Sequence, residues 1–386
     1  MYTGFSNGRD VLQMNKSLKE TRHYGRPEDA ALAAMLDSVH LCASDRVVLP
    51  ADVVMVSCVQ QPDERFGFLH ETAITEYKGV LYASWYCCPE KELQGHTPIC
   101  GRRSRDGGKS WTDVEIIADA AQEGILYCPP VYGECDGKLY MLMNRMVAPD
   151  HIHALDLFIL NEETDLFEQL WSRPLPFKLN TNVITLPDGR LLLPGRVAEL
   201  DGFPNTPAVM ISDSGKIDAP WRIVRIAPDG ALADGAKLIH PEMTVICHDG
   251  MLYAFGRNDE RDVPYVYISR DLGETWSGML AHDIPYTASK IYAGTLRDGR
   301  HYLIANTDKP GRRKLSLFLS EAGRLLFGRE IVLFDEAHAA LPGVNACHYP
   351  AAVEADGRLY IIATMNYDWS RRGAALFTVK TGEEST

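Results

Sequence analysis

The sequence is short of positive charge: 39 Lys and Arg face 52 Asp and Glu across 386 residues, a formal net charge of −13. A polyanion needs a basic face to bind to, so no nucleic-acid partner is expected. An acidic small substrate is not excluded, because a local cluster of arginines can override the net field. Long apolar runs are also missing. No stretch approaches the ~18 residues that a membrane span requires, so no membrane partner is expected. The opening "MYTGFSNGRDVLQMNKSLKE" lacks a basic start followed by an apolar core. No secretory signal is read there, and a cytoplasmic location is expected. The nine cysteines are odd in number and include no C-x-x-C. That usage predicts reduced thiols rather than a disulfide framework or a zinc site. No cofactor and no metal are expected, although a structural cation is compatible with the sequence, which sets no oligomeric state.

What the chain does have is a repeat. Six segments share one pattern, an apolar stretch, a tight turn ending in Gly and a second apolar stretch: "HETAITEYKGVLYASWY", "CPPVYGECDGKLYMLMN", "NTNVITLPDGRLLLPGR", "PEMTVICHDGMLYAFGR", "KIYAGTLRDGRHYLIAN" and "HYPAAVEADGRLYIIAT". Their turn glycines are Gly79, Gly137, Gly189, Gly250, Gly299 and Gly357, spaced by 58, 52, 61, 49 and 58 residues. Asp-Gly between β-branched and aromatic runs signals a hairpin whose two central residues both take positive φ. After each hairpin comes a loop and a further strand pair. Six units of four short antiparallel strands predict an all-β fold, a six-bladed β-propeller.

The last unit, ending in "AALFTVK", is one strand short, and a strand at about 52–60 can complete it and close the ring. The organisation expected is an N-terminal extension over 1–50 and the propeller over 51–386. Within the extension, "PEDAALAAMLDSVH" puts Leu32, Met35, Leu36 and Val39 on one helical face, with Pro27 and acids suited to a helix start.

Two octapeptides stand out against this repeat, "SRDGGKSW" from Ser104 and "SRDLGETW" from Ser269, with shorter relics "SDSG" at Ser212 and "SEAG" at Ser320. The S-x-D-x-G-x-[ST]-W pattern resembles the Asp box of sialidases and related bacterial-neuraminidase-repeat propellers. The resemblance implies that each box lies in the turn between third and fourth strands. Its Asp would tie down turn amides and its Trp would pack between strands. The boxes then mark a structural face, and chemistry gathers on the opposite face, at first-strand starts and second-strand ends.

Those positions form columns. Nine residues before each turn Gly stand His70, Cys128, Asn180, Pro241, Lys290 and His348. One residue later stand Glu71, Pro129, Thr181, Glu242, Ile291 and Tyr349. Seven after the Gly come Tyr86, Asn144, Arg196, Arg257, Asn306 and Thr364, with Arg145 just beyond Asn144. Apolar strands that repeatedly end in Arg or Asn at one rim predict a polar pocket there.

The sialidase resemblance implies roles for some of these residues. Glu242 and Arg257, 15 residues apart, resemble the activating Glu and the second arginine of the carboxylate grip. Arg312, in "RRKLSLFLS", resembles the third arginine, and Tyr349 resembles the nucleophile. His70 stands where sialidases carry their first arginine, and His96 lies in the loop that holds their acid/base Asp. Two such histidines resemble a second branch, the propeller uronate lyases, which implies a catalytic set of His70, His96, Tyr127 or Tyr132, and Arg145. β-Elimination needs a cation to neutralise the uronate carboxylate, a base of near-neutral pKa and an acid at the leaving oxygen. The candidate catalytic residues are thus His70, His96, Tyr349, Glu242 and Tyr127. The candidate binding residues are Arg145, Arg196, Arg257, Arg312, Asn182, Lys290 and His348. The expected function is cleavage of a glycosidic bond next to an acidic sugar in an oligosaccharide, by elimination or hydrolysis. An exo-sialidase and a non-catalytic glycan-binding propeller are the alternatives.

Overall fold

Each apolar–turn–apolar segment folds as an antiparallel hairpin, and each hairpin heads one sheet of a six-bladed ring. The computed structural model describes residues 25–51, 54–149, 151–197, 205–227, 230–308 and 311–382. Helix α1 (Pro27–Met35) and strands β1 (Ser38–Val39), β2 (Cys42–Leu49) and β3 (Met55–Gln60) precede the first blade. That blade comprises β4 (Phe68–Tyr77), β5 (Val80–Cys88), β6 (Ile99–Ser104) and β7 (Glu115–Ala118). The second blade is β8 (Leu126–Cys135), β9 (Lys138–Ala148), β10 (His151–Asn161) and β11 (Leu166–Arg173). The third is β12 (Phe177–Leu179) and β13 (Ile184–Thr185) beside β14 (Leu191–Val197), then β15 (Thr206–Ser212) and β16 (Arg222–Arg225).

The fourth blade is β17 (Met243–His248), β18 (Met251–Gly256), β19 (Tyr265–Ser269) and β20 (Leu280–His282). The fifth is β21 (Tyr292–Thr295), β22 (His301–Asn306), β23 (Lys314–Ser320) and β24 (Phe327–Asp335). The sixth supplies β25 (Ala346–Ala355), β26 (Arg358–Asn366) and β27 (Arg372–Lys380), and β3 pairs antiparallel with β27, Val56 opposite Phe377. The strand expected at 52–60 therefore closes the ring from within the sixth sheet. Buried apolar side chains fill the interfaces between neighbouring blades, among them Tyr86, Tyr132, Phe255 and Phe377.

The turns depart from expectation in two blades. Lys78-Gly79, Asp136-Gly137, Asp249-Gly250 and Asp356-Gly357 have positive φ at both residues, as a two-residue hairpin requires. In the third and fifth blades only Gly189 and Gly299 do. There the Leu186 and Leu296 carbonyls accept from those glycine amides, while their own amides reach Arg190 and Arg300. The result is a longer type I turn closed by a glycine bulge, and in the third blade Pro187 enforces it by fixing φ near about −65°.

The Asp boxes lie between third and fourth strands. Asp106 accepts from the Lys109 and Ser110 amides at 3.0 and 2.9 Å and from the Ser104 and Ser110 hydroxyls. The Ser110 hydroxyl is the first of the donors that lower its pKa to about 2. Asp271 repeats the pattern with Thr275 and Ser269. Trp111 and Trp276 pack against the apolar clusters beside them.

The N-terminal extension holds more than the helix expected there. The Asp29 carboxylate caps the helix start, accepting from the Arg26 amide, and its other oxygen accepts from the Asp262 amide of the fourth blade. Leu32 is fully buried, but the helix ends at Met35, whose side chain is 59% exposed. Val39 lies in β1 because strand pairing overtakes the helix. Ser38 pairs in parallel with Ala281 of β20, and Val48 of β2 with Glu330 of β24. These two strands widen the fourth and fifth blades at their outer edges. All nine cysteines are free thiols, and no helix among the described residues is long and apolar enough to cross a membrane.

Candidate active site

Local irregularities in the inner strands aim the polar side chains. Register shifts fall between His70 and Ala73 in β4, between Tyr127 and Pro130 in β8, and between His348 and Ala351 in β25. Within two of these bulges Glu71 and Tyr349 adopt left-handed backbone, with φ of 49° and 55°. Such a conformation costs a non-glycine residue on the order of 1–3 kcal/mol, and bulges characteristically redirect a side chain. Glu71 and Tyr349 occupy the same column of the repeat, and both are nearly fully buried.

Around Tyr349 the blades converge. Arg257, just past β18, donates from Nη1 to the Tyr349 hydroxyl at 2.6 Å and to Glu242 Oε2 at 2.7 Å. Its Nε and Nη2 reach Asp259 at 3.1 and 3.0 Å. The Arg312 guanidinium lies 5.2 Å from the Tyr349 ring centroid, and the Lys290 ammonium 5.7 Å. Lys290 itself pairs with Glu71 Oε2 at 2.9 Å, and the Cys128 thiol donates to the other Glu71 oxygen at 3.5 Å. The His70 ring tilts against Tyr349 with centroids 4.2 Å apart and shares a hydrogen bond with Thr364 Oγ1. His348 packs edge-on to His70 and bonds Asn366 through Nε2.

Arg372 completes the cluster. It stacks 4.2 Å over Phe68 and 5.1 Å over Trp369, and its buried Nε has no hydrogen-bond partner. Among the described residues neither Arg312 nor Arg372 has a carboxylate within ion-pair distance, although the charges of the two arginines repel each other. Arg257, Arg312, Arg372 and Lys290 thus face the three carboxylates of Glu242, Asp259 and Glu71. The buried cluster holds an excess of positive charge and is suited to an anion.

Burial drives the titration of the cluster. It raises the Tyr349 pKa above the ordinary phenol value, Arg257 opposes it and Glu242 reinforces it, so the hydroxyl is protonated at rest. Burial would also raise Glu242, but the charges of Arg257, Lys290 and Arg196 outweigh it and hold the group ionised. His70 and His348 are pushed well below the usual imidazole range, first by burial and then by neighbouring cations, chiefly Arg372 and Arg312 respectively. Burial likewise lowers His240 to about 4 and His282 to about 3.

These histidines give a signed prediction. A depressed folded-state pKa means that protons bind the unfolded chain more tightly. The stability is therefore intact above the unfolded value of about 6.5 and is lost as pH falls below it. Each such histidine removes up to about 1.4 kcal/mol per pH unit in that range. Urea unfolding between pH 7.5 and 5 is expected to show a steadily falling midpoint. A midpoint flat across that interval would contradict neutral buried histidines.

The structure gathers only part of the set read from the sequence. His70, Glu242, Arg257, Lys290, Arg312, His348 and Tyr349 meet around one centre. Arg196 is buried at the end of β14, and its charge acts on Glu242 and His240. His96 stands on the rim, paired with Asp119 at 2.9 Å and packed against Phe66. Tyr127 and Arg145 form another cluster, in which the Tyr127 hydroxyl bonds Asp156 at 3.1 Å and Arg145 sits between Asp156 and Glu123. Tyr132 is buried in the apolar wedge between the first two blades. Asn182 bridges backbones, accepting from the Tyr132 amide and donating to the Ile74 carbonyl.

Three residues of the cluster were not singled out. Glu71 stood in the column of Tyr349 and Glu242, and that position was its signal. Asp259 follows Arg257 by two residues. Arg372 opens a third strand, in "RRGAALFTV", much as Arg312 precedes one in "RRKLSLFLS". Third-strand starts form a further column of the repeat. Among the described residues no group of three or more His, Cys, Asp or Glu is placed to hold a metal ion.

Six blades, two of them closed by Asp-box turns, define the class, a sialidase-like six-bladed β-propeller. The chain belongs to the BNR repeat-like domain family, which it matches over residues 79–361. No curated protein matches it. Among solved structures it is similar to a protein of unknown function from Dyadobacter fermentans DSM 18053, with a TM-score of 0.65 and 16% identity over 84% of this chain and 99% of that one. It is also similar to the Hadza microbial sialidase Hz136, with a TM-score of 0.68 and 14% identity over 84% and 68% of the two chains. The Trypanosoma rangeli sialidase in complex with sialic acid gives a TM-score of 0.63 at 15% identity, over 87% of this chain and 60% of its own length. At these identities the likeness is one of fold.

Proposed function

We propose that the protein is a carbohydrate-active enzyme that breaks the glycosidic bond of a sugar bearing a carboxylate. One observation carries this reading. The buried Tyr349 hydroxyl is held by the Arg257–Glu242 pair, in a cluster with Arg312 and Arg372, two guanidiniums with no carboxylate within ion-pair distance among the described residues. Arg312 and Arg372 receive the carboxylate. Tyr349 attacks the anomeric carbon once its proton is lost, and the Arg257 donor steadies the phenolate oxygen as charge develops. The glycosidic carbon–oxygen bond breaks, the departing oxygen takes up a proton, and water then releases the sugar from the tyrosine. The sialidases of like fold support this choice over other anion chemistry.

Elimination is the second reading, resting on the His70 imidazole packed against the Tyr349 ring, whose basicity the surrounding cations lower and a bound carboxylate would restore. A neutral imidazole can take a proton from the carbon next to a carboxylate that the arginines have neutralised. The two readings separate in one experiment. Purified protein is incubated with sialyl oligosaccharides and rhamnosyl-glucuronate oligosaccharides. Chromatography follows release of the acidic sugar, and ultraviolet absorbance reports an unsaturated uronate. Release without absorbance is the expected result, and absorbance would transfer the assignment to elimination. Binding without either product would make the protein a glycan-binding module and overturn the enzyme reading.

A further inference from the structure

We propose that the buried Glu71–Lys290 pair is a positioning couple for Tyr349, in which Glu71 holds the Lys290 ammonium beside the tyrosine ring and facing the bound anion. The inference rests on the functional reading above and adds to it two residues with a shared task. Four observations support it.

The first is position. Glu71 and Tyr349 sit at the same place in the repeat, each in a bulge of an inner strand with left-handed backbone. The neighbouring Thr72 hydroxyl donates to the Tyr349 carbonyl at 3.3 Å, which locks the two bulges together. The second is that the fold itself does not ask for a carboxylate here. The same column holds Pro129, Thr181 and Ile291 in other blades, and those blades form equally well. The third is energetic. Both partners are nearly fully buried, and such a pair is typically no more stabilising than apolar side chains of the same volume. A strained, desolvated pair kept at the axis points to a task other than holding blades together.

The fourth is what surrounds the pair. Lys290 lies 5.7 Å from the Tyr349 ring centroid, and the charge of Glu71 is among those that raise the proton affinity of Tyr349. The other charged or titratable groups acting on that ring are His70 from the first blade, Glu242 and Arg257 from the fourth, Arg312 from the fifth, and His348 and Arg372 from the sixth. Glu71 therefore works in two ways. It keeps the ammonium in place, and its charge disfavours the phenolate.

The test uses the double variant Glu71→Gln/Lys290→Met, which removes both charges while keeping volume, so that neither partner is left buried and alone. Its thermal unfolding midpoint is expected to equal or exceed that of the wild type. Its rate on the acidic oligosaccharide that the wild type cleaves is expected to fall by about 100-fold, the usual scale for a misplaced reacting group. Glu71→Gln alone is expected to move the alkaline limb of the rate–pH profile, the rise in rate set by Tyr349 ionisation, to lower pH. A merely structural pair would lower the midpoint and leave that limb in place. A double variant that cleaves at the wild-type rate overturns the couple while leaving the functional reading intact. Should the wild type cleave none of the acidic glycans, the functional reading fails and the couple falls with it.

Discussion

Tyr349→Phe is expected to abolish glycan cleavage, by about 10³-fold or more, because it removes the one oxygen on which bond exchange depends. The same change should cost some stability and leave the protein folded. It deletes a single hydrogen bond from Arg257, worth about 1.5–3 kcal/mol for a charged donor, and leaves that guanidinium bound to Glu242 and Asp259. Single-turnover kinetics beside circular dichroism would check both halves. A variant that is folded and fully active would remove Tyr349 from the chemistry. His70→Ala offers a useful contrast, since under hydrolysis it perturbs only the packing around the ring, whereas under elimination it removes the base.

Arg257→Met is expected to have the largest effect on folding. Glu242 and Asp259, with side chains only 6% and 2% exposed, would lose the guanidinium that compensates their charge. Breaking a buried pair by removing one partner costs about 3–5 kcal/mol, a large fraction of the roughly 5–15 kcal/mol that holds a domain folded. Part of that loss should return as the pH is lowered, because the stranded carboxylates can then take up protons. Arg312→Met should behave in the opposite manner. No carboxylate among the described residues lies within ion-pair distance of it, and burial and Arg257 disfavour its charge, so the unfolding midpoint stays or rises while affinity for an acidic sugar is lost. Chemical denaturation of the two variants side by side measures the difference. Equal destabilisation would mean that Arg312 carries a structural load like that of Arg257.

The architecture was legible because its signals are local. Turn glycines, flanking apolar runs and the Asp boxes each act over fewer than ten residues, and repetition made them visible. The closing strand was legible as a deficit, one strand missing from the last unit. Chain continuity with the wrong partner misled in the extension. The helical spacing of Met35 and Val39 is real, but β1 leaves the helix to pair with β20, and no local pattern announces a parallel edge strand. The turns at Pro187 and Leu296 carry the same Asp-Gly as the others, and one extra residue changes their geometry.

The centre is legible by column. First-strand starts and second-strand ends carry His70, Glu242, Lys290, Tyr349 and Arg257, whereas Arg372 stands at a third-strand start, a different column. Loops resist this logic because they carry no register. His96, in such a loop, lies with Asp119 away from the cluster. Tyr127 and Arg145 are paired strand residues, and what holds them apart from the cluster is Asp156, a partner 29 residues along the chain from Tyr127. Glu71 shows a further limit. Its column was drawn, but nothing in one sequence distinguishes a carboxylate turned toward the axis from one turned toward solvent until the bulge is seen.

The sixth sheet has a double duty. Its seam joins residues 55–60 to the last long strand, and its first strand carries Tyr349. The groups that meet that tyrosine arrive from the first, fourth and fifth sheets, and the first sheet adjoins the sixth only where the circle closes. Assembly of the reacting centre and completion of the circle are one event. Slackness at the seam would be felt first as misalignment at the axis, which makes the chemistry itself a gauge of whether the circle has shut.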